Sequence, residues 1–355
     1  MAVWNIKNVS LRGVTGTVPN NPVSTYDFPF FTHEDAEVFN NTVSIRNRYL
    51  APDTICASDL CCDAGERLIN ALGWGRETID VLVFASVTPD YKTPPTSGIL
   101  QHRLGLPMST FVLDIPMGCS GCIYSIVVAG NLLSAGTAKR ALLLIGDTAA
   151  RMGNPNDKSR MPLFGDGAVA LALEFDPTAE DLKIEFNTLG SGFEALMTPH
   201  GGYRHPIDRL SSFIEEDFGN GIIRAPKDAL INGMDVFSFA ISRPPISLKK
   251  MLDENHLDKD ADIDYFLIHQ ANKLIVDRVV KKLKLSPDKV PYNLQEFGNL
   301  GGASIPMLMT TNIAEQLRTR PLSLLCSSFG LGLTWATMWL RTQPMVVESV
   351  HKLDA

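Results

Sequence analysis

Cysteine, basic charge and long apolar runs are all in short supply in this chain. Its 355 residues hold six cysteines, too few and too scattered for the disulfide framework of a small secreted domain. Lysine and arginine number 32 against 39 aspartates and glutamates, a formal net charge of -7 with no basic cluster suited to a nucleic-acid backbone. No apolar run approaches the roughly 18 residues a membrane span needs. The opening MAVWNIKNVS also lacks the basic-then-apolar pattern of an export signal. These shortages remove nucleic acid and membrane from the expected partners and point to a cytoplasmic protein. What is present is 45% hydrophobic and 20% charged residues, a balance that supports one large core or two of ordinary size.

The apolar residues alternate between strand-like and helix-like segments. IDVLVFASV (79–87), TFVLDI (110–115), KRALLLIGD (139–147) and AVALALEF (168–175) predict strands, and 59–73 and 120–135 carry helical spacing. The pattern is that of an α/β protein with its sheet covered on both faces. It then repeats: IDYFLIHQ (263–270) echoes IDVLVFAS, and LSLLCSSFGLGLTWATMWL (322–340) echoes 141–175 as strand, glycine turn, strand. The expected organisation is an N-terminal half over 1–178, a linking and substrate-lining insertion over 179–232 rich in Gly, Pro, His and charge, and a C-terminal half over 233–355.

The stretch IPMGCSGCIYSIVVAG (115–130) joins a strand to a helix and carries Cys119 and Cys122 there. A helix N-terminus offers unpaired N–H groups and a favourable dipole, which predicts a lowered Cys119 pKa and a nucleophilic thiolate. Cys122, one turn inward, is placed for packing. A redox pair, a metal site and an inert core pair remain alternatives, although no second cluster at ligand spacing accompanies them. Cys56, Cys61, Cys62 and Cys326 lie in apolar contexts that suit buried thiols.

A nucleophilic cysteine needs partners. His269 follows the apolar strand DYFLI, so it projects from a strand end, where open α/β sheets place their chemistry. Asn299 sits in the glycine-rich GNLGGAS (298–304), either as an amide that reaches a substrate carbonyl or as a plain turn residue. Asp166 in FGDGAVALA reads as part of a hairpin turn and not as a catalytic acid. HGGYRH (200–205) offers two histidines without a third ligand, so no metal is expected.

In this order, DIPMGCSG, LIHQAN, GNLGGASIP and FGLGLTW resemble the signatures of the thiolase superfamily, in particular its β-ketoacyl-acyl-carrier-protein synthase III group, as does NPNDKSRMPLFGDGAVAL (154–171). The resemblance implies a five-layered αβαβα fold built from two duplicated halves, normally a homodimer with PDYKTPPTSG (89–98) near the interface. It implies that Cys119 takes an acyl group from a thioester, with the Cys119 and Leu331 backbone amides as oxyanion hole. His269 and Asn299 would hold the carbonyl of a malonyl-type thioester as it loses carbon dioxide, and no cofactor would be needed. Acyl transfer to a hydroxyl or amine without decarboxylation is the alternative, followed by a non-catalytic or redox partner subunit.

Departures from the group bear on substrate. Val38 and Thr42 stand where a Trp and an Arg usually grip coenzyme A, and Lys158 replaces a phosphate-binding Arg, keeping charge but losing the planar fork. The donor is therefore expected to ride on an acyl carrier protein as well as, or instead of, coenzyme A. Leu274 replaces a docking Arg, while Lys273, Arg278 and Lys281 with their neighbours keep that helix basic. Thr93 occupies the place of a bulky acyl-pocket aromatic contributed across the dimer, which leaves room for a longer or polar acyl group. Leu331 replaces a glycine of the usual three-glycine loop, and Pro244 and Pro245 are expected to interrupt a helix.

Overall fold

The computed structural model describes residues 3–355. Its framework is two sheets with helices between and outside them. In the first sheet the strand order is Val346–Val347, Val9–Pro19, Gly167–Phe175, Arg140–Asp147, Val81–Ala85 and Phe111–Ile115, with His351–Leu353 also pairing on Val9–Pro19. In the second it is Val3–Ile6, Leu182–Thr188, Thr334–Thr342, Leu322–Gly330 and Tyr265–Ile268.

Side chains of alternating parity feed different layers, as a period of two requires. On Arg140–Asp147, Ala141, Leu143 and Ile145 face a central core, while Leu142 and Leu144 face an outer one under the helix Ala57–Leu72. On Leu322–Gly330, Leu322, Leu324 and Cys326 point to the same central core, and Leu325 and Phe329 to a third core. That third core lies under the helices Gly233–Glu254 and Lys273–Leu283. The helices Gly121–Ser134 and Ser304–Thr311 fill the middle layer. These strands are apolar on both faces because both faces are covered, which gives five layers.

The expected duplication is visible in the pairing. Val81–Ala85 runs parallel to Arg140–Asp147, which returns antiparallel as Gly167–Phe175. Tyr265–Ile268 runs parallel to Leu322–Gly330, which returns antiparallel as Thr334–Thr342. The boundaries differ from the sequence expectation. Leu182–Thr188, inside the segment read as an insertion, is an integral strand of the second sheet against Thr334–Trp339. Val3–Ile6 joins that second sheet, and Val346–Val347 joins the first, so each terminus crosses to the other half. Residues 190–232 form a loop-rich stretch, with the 3-10 helix Gly190–Ala195 and short strand pairs such as Leu196–Met197 with Leu230–Ile231.

Pro244 and Pro245 do not end their helix, which runs unbroken from Gly233 to Glu254 with both rings buried. A proline removes the donor for the carbonyl four residues back. For Pro245 that carbonyl is Ile241, and the Lys282 ammonium donates to it at 3.1 Å. Asp166 is structural, though not through a hairpin turn. Residues 148–166 make a long excursion between the paired strands, and the buried carboxylate accepts the Ala51 and Ala150 N–H groups at 2.8 and 3.0 Å.

Candidate active site

Three turns deliver the candidate site residues. Cys119 lies in a single 3-10 turn, Gly118–Ser120, immediately before the helix Gly121–Ser134. His269 follows the last residue of Tyr265–Ile268, its backbone N–H bonded to Ser327 O at 2.9 Å. Asn299 bridges Phe164, and its N–H donates to Leu163 O at 2.9 Å. The buried Arg48 guanidinium donates to the Met161 and Phe164 carbonyls and so fixes the segment on which Asn299 leans.

All three side chains line one cavity of about 680 Å³, together with Phe164, Phe329, Gly330 and residues of the 218–239 stretch. The Asn299 Oδ1 accepts the Gly301 N–H at 2.9 Å, which leaves the amide NH2 as the end able to donate into the cavity. The His269 ring stands edge-on to Phe329 at 5.3 Å, with Nδ1 buried and unpartnered. Burial pushes its pKa down to about 3, so the ring is neutral at pH 7, with one ring nitrogen a donor and the other an acceptor. Gly330 packs directly on the nucleophile turn: a Cβ there would stand 2.7 Å from Cys119 Cβ and 3.0 Å from its Sγ.

The Cys119 thiol is not lowered as its helix-terminal position predicts. Desolvation pushes it up to about 12, and the negative charge of Asp147 acts in the same direction, against the favourable effect of its own backbone N–H. The residue sits one turn ahead of the helix among apolar walls, where loss of water outweighs the dipole. It therefore rests as a thiol, with neutral His269 in the same cavity as a proton acceptor. Cys122 is buried among Ile123 and Ile126 in the central core, and all six cysteines are free. Cys61 and Cys326 are buried as expected, while Cys56 and Cys62 are half-buried.

A second cavity of about 220 Å³ also touches Cys119, and neither His269 nor Asn299 lines it. Its walls include Val87, Met152, Phe164, Leu196 and Leu331, with Gly118 and Gly301 at the turns. Leu331 thus borders the sulfur from this side. Two charged residues that the sequence did not single out, Asp147 and Arg160, also line it. Asp147 ends the strand Arg140–Asp147, and its Oδ1 accepts from Ser86 Oγ at 2.9 Å and from the Val87 N–H at 2.7 Å. A charged residue closing an apolar strand such as LLLIGD is the signal that marks it. Thr93 lines neither cavity of its own chain; it is exposed on the loop before the helix Thr96–Arg103.

The cations expected to meet a carrier or coenzyme A lie outside the cavities. Lys273 pairs with Asp277 one turn on, while Arg278 and Lys281 are exposed and make no ion pair among the described residues. Lys158 is half-buried, with its N–H donating to Gly221 O at 2.9 Å and its charge acting on Asp35 in the helix His33–Val43. Val38 and Thr42 are exposed on that same helix.

Comparison with known proteins identifies the family. Residues 113–190 match the profile of 3-oxoacyl-[acyl-carrier-protein] synthase III, and residues 252–342 that of its C-terminal part. A β-ketoacyl-[acyl-carrier-protein] synthase III of Streptococcus pneumoniae (strain Hungary19A-6) is 30% identical over 327 residues, covering 91% of this chain and 96% of that protein. The chain belongs to the β-ketoacyl-acyl-carrier-protein synthase III family. Among solved structures, a 3-oxoacyl-(acyl-carrier protein) synthase from Burkholderia xenovorans LB400 superposes with a TM-score of 0.92 at 33% identity, covering 99% of each chain. Another 3-oxoacyl-(acyl-carrier-protein) synthase III gives 0.89 at 29% identity, covering 94% of this chain and 99% of that one. The synthase III fold is the thiolase-like one, and the chain is a divergent member of this condensing-enzyme family. Among the described residues, no helix is long and apolar enough to cross a membrane.

Proposed function

We propose that the protein loads an acyl group from a thioester onto Cys119 and condenses it with a malonyl-type thioester to give a β-ketoacyl product. The observation that carries this reading is the convergence of Cys119, His269 and Asn299 on one cavity from three separate turns.

In the first step Sγ attacks the thioester carbonyl carbon. A C–S bond to Cys119 forms, the C–S bond to the donor breaks, and the thiol proton passes by way of His269 to the leaving thiolate. Backbone amides at Cys119 and in the loop that holds Leu331 face the developing oxyanion. The acyl chain lies in the smaller, mostly apolar cavity beyond the sulfur. In the second step the malonyl-type thioester loses carbon dioxide, and two donors, His269 and the Asn299 NH2, hold the enolate oxygen. The enolate carbon then bonds to the acyl carbon, the C–S bond to Cys119 breaks, and the departing thiolate takes up a proton from solvent, the first one having left on the donor thiol. Atoms and charge balance without a cofactor.

The donor arrives on an acyl carrier protein or coenzyme A. The exposed Arg278 and Lys281 suit an acidic carrier, and Lys158 near the helix that bears Val38 and Thr42 suits a phosphate. A homodimer is supported by the unpaired outer edge of Phe111–Ile115, the last strand of the first sheet, with Phe111 47% exposed. The cytoplasm is the compartment that suits six free thiols.

The test is product analysis with an acyl thioester and malonyl thioester together. A new carbon–carbon bond with release of carbon dioxide supports condensation. An acyl-enzyme that never decarboxylates the malonyl group, yet passes its acyl group to a hydroxyl or amine, replaces it with simple acyl transfer.

A further inference from the structure

The smaller cavity at Cys119 has two charged residues in its lining, of opposite sign, and apart from Thr198 and the thiol its other side chains are apolar. Asp147 occupies the sulfur end: its charge acts on the Cys119 thiol, and its carboxylate is already bonded to Ser86 Oγ and the Val87 N–H. Arg160 is different. It is 3% exposed, and only one guanidinium nitrogen is used, Nη2 donating to Ala149 O at 2.8 Å. Nε and Nη1 are buried with no partner, and the guanidinium stacks 4.7 Å from the Phe164 ring centre.

The carboxylates whose charges reach Arg160 are those of Asp157, Asp166 and Asp228. None hydrogen-bonds to it. Asp157 is taken by Arg224 and Ser159, Asp166 by the Ala51 and Ala150 amides, and Asp228 by the Ala225 amide and Lys227. Burial lowers the Arg160 pKa only to about 10, so the group stays charged at pH 7. Arg160 lines the cavity, and a buried guanidinium with two unpartnered nitrogens is costly to the empty protein unless a ligand completes it.

We propose that Arg160 is a specificity residue that binds a carboxylate at the far end of the acyl chain, so that the preferred donor is the thioester of a short dicarboxylic acid. A planar guanidinium fork matches a carboxylate better than it matches a hydroxyl or a methyl end. A cavity of about 220 Å³ lined by both Cys119 and Arg160 has room for a chain of a few carbons. The inference rests on the acyl-Cys119 reading above, because it is the acyl chain on that sulfur that reaches Arg160.

The experiment is intact-protein mass spectrometry of Cys119 acylation with matched donors: succinyl and glutaryl against butyryl, valeryl and 3-hydroxybutyryl thioesters, each as coenzyme A and carrier-protein forms. The wild-type protein is expected to take succinyl or glutaryl at least about a hundredfold faster than the uncharged chain of equal length. Arg160→Met should reverse that preference while still loading butyryl, and Arg160→Lys should keep part of it. Equal or faster loading of butyryl, valeryl or 3-hydroxybutyryl by the wild type overturns the role of Arg160 and leaves acyl-Cys119 standing. Failure of every donor to add mass at Cys119 overturns both. Because the wild-type comparison needs no variant, a variant that folds poorly does not decide the matter.

Discussion

The two halves of the molecule contain the same turn twice, and only one copy carries a nucleophile. In the first half, Gly118 (φ 48°) opens the 3-10 turn Gly118–Ser120 that leads into Gly121–Ser134. In the second, Gly301 (φ 56°) opens Gly301–Ala303, which leads into Ser304–Thr311. GCSG thus faces GGAS, with Cys119 matched by Gly302. The reason Gly302 bears no side chain is steric: a Cβ there would stand 2.7 Å from Gly118 O and 3.1 Å from an Ile145 methyl. The turns abut in the middle layer, and only the first has room for a side chain at its second position.

The strand ends divide the work in the same way. Asp80 and Asp264 are equivalent locks: Asp80 accepts the Lys139 N–H at 2.6 Å, and Asp264 accepts the Ser323 N–H at 2.8 Å, each fixing the start of the next parallel strand. Five residues later the copies diverge, Ala85 in the first half and His269 in the second. At the end of the following strand Asp147 corresponds to Gly330, the residue packed on Cys119. Duplication supplied the frame, and single strand-end positions turned one half into the nucleophile's side and the other into the side of its partners.

The strongest way to break this asymmetry is at its chemical end. Replacing Asn299 with Ala should cut malonyl decarboxylation by about 10²–10³-fold, the usual cost of one oxyanion donor, while mass spectrometry still finds acyl-Cys119; His269→Ala should slow both loading and decarboxylation. Loss of loading and decarboxylation to the same degree in Asn299→Ala would contradict the separation of roles. Next comes the glycine turn: Gly302→Ala should destabilise the fold by about 1–3 kcal/mol, measured by denaturant unfolding, because its Cβ has no free space.

A third test uses acid. His269 is held below its ordinary 6.5, so its stabilising contribution is complete above pH 6.5 and is lost as pH falls toward about 3. Between pH 6.5 and 5 the loss is about 2 kcal/mol. The buried Asp147 and Asp166, both raised to about 6, act oppositely, contributing most below about pH 4 and losing that contribution as pH rises through 6. His269→Asn should therefore be stabilised relative to wild type as pH drops from 6.5 to 5. An unchanged difference across that range would show that the histidine is not held neutral. The smallest effect is expected at the paired locks, where Asp80→Asn and Asp264→Asn should each cost about 1 kcal/mol and by similar amounts.

Much of this arrangement was legible in the sequence, because strand apolarity, glycine turns and the IDVLVFAS/IDYFLIHQ echo are local patterns that survive burial. Cys119, His269 and Asn299 could be named because each sits at a strand end or glycine turn. What local pattern could not convey was set by partners distant in sequence. The strand Leu182–Thr188 acquires its place only by pairing with Thr334–Trp339. The helix through Pro244 and Pro245 survives with Lys282 satisfying a freed carbonyl. Desolvation of Cys119 depends on walls contributed by both halves, and the idle donors of Arg160 emerge only when Asp157, Asp166 and Asp228 are seen to be engaged elsewhere.

The most direct test of the account is intact-protein mass spectrometry after exposure to acyl thioesters, with wild type beside Cys119→Ala and Cys122→Ala. The account predicts a gain of one acyl mass in wild type and in Cys122→Ala, and none in Cys119→Ala. A gain that survives removal of Cys119, or a loss of two hydrogens shared between Cys119 and Cys122 in place of any gain, would contradict it.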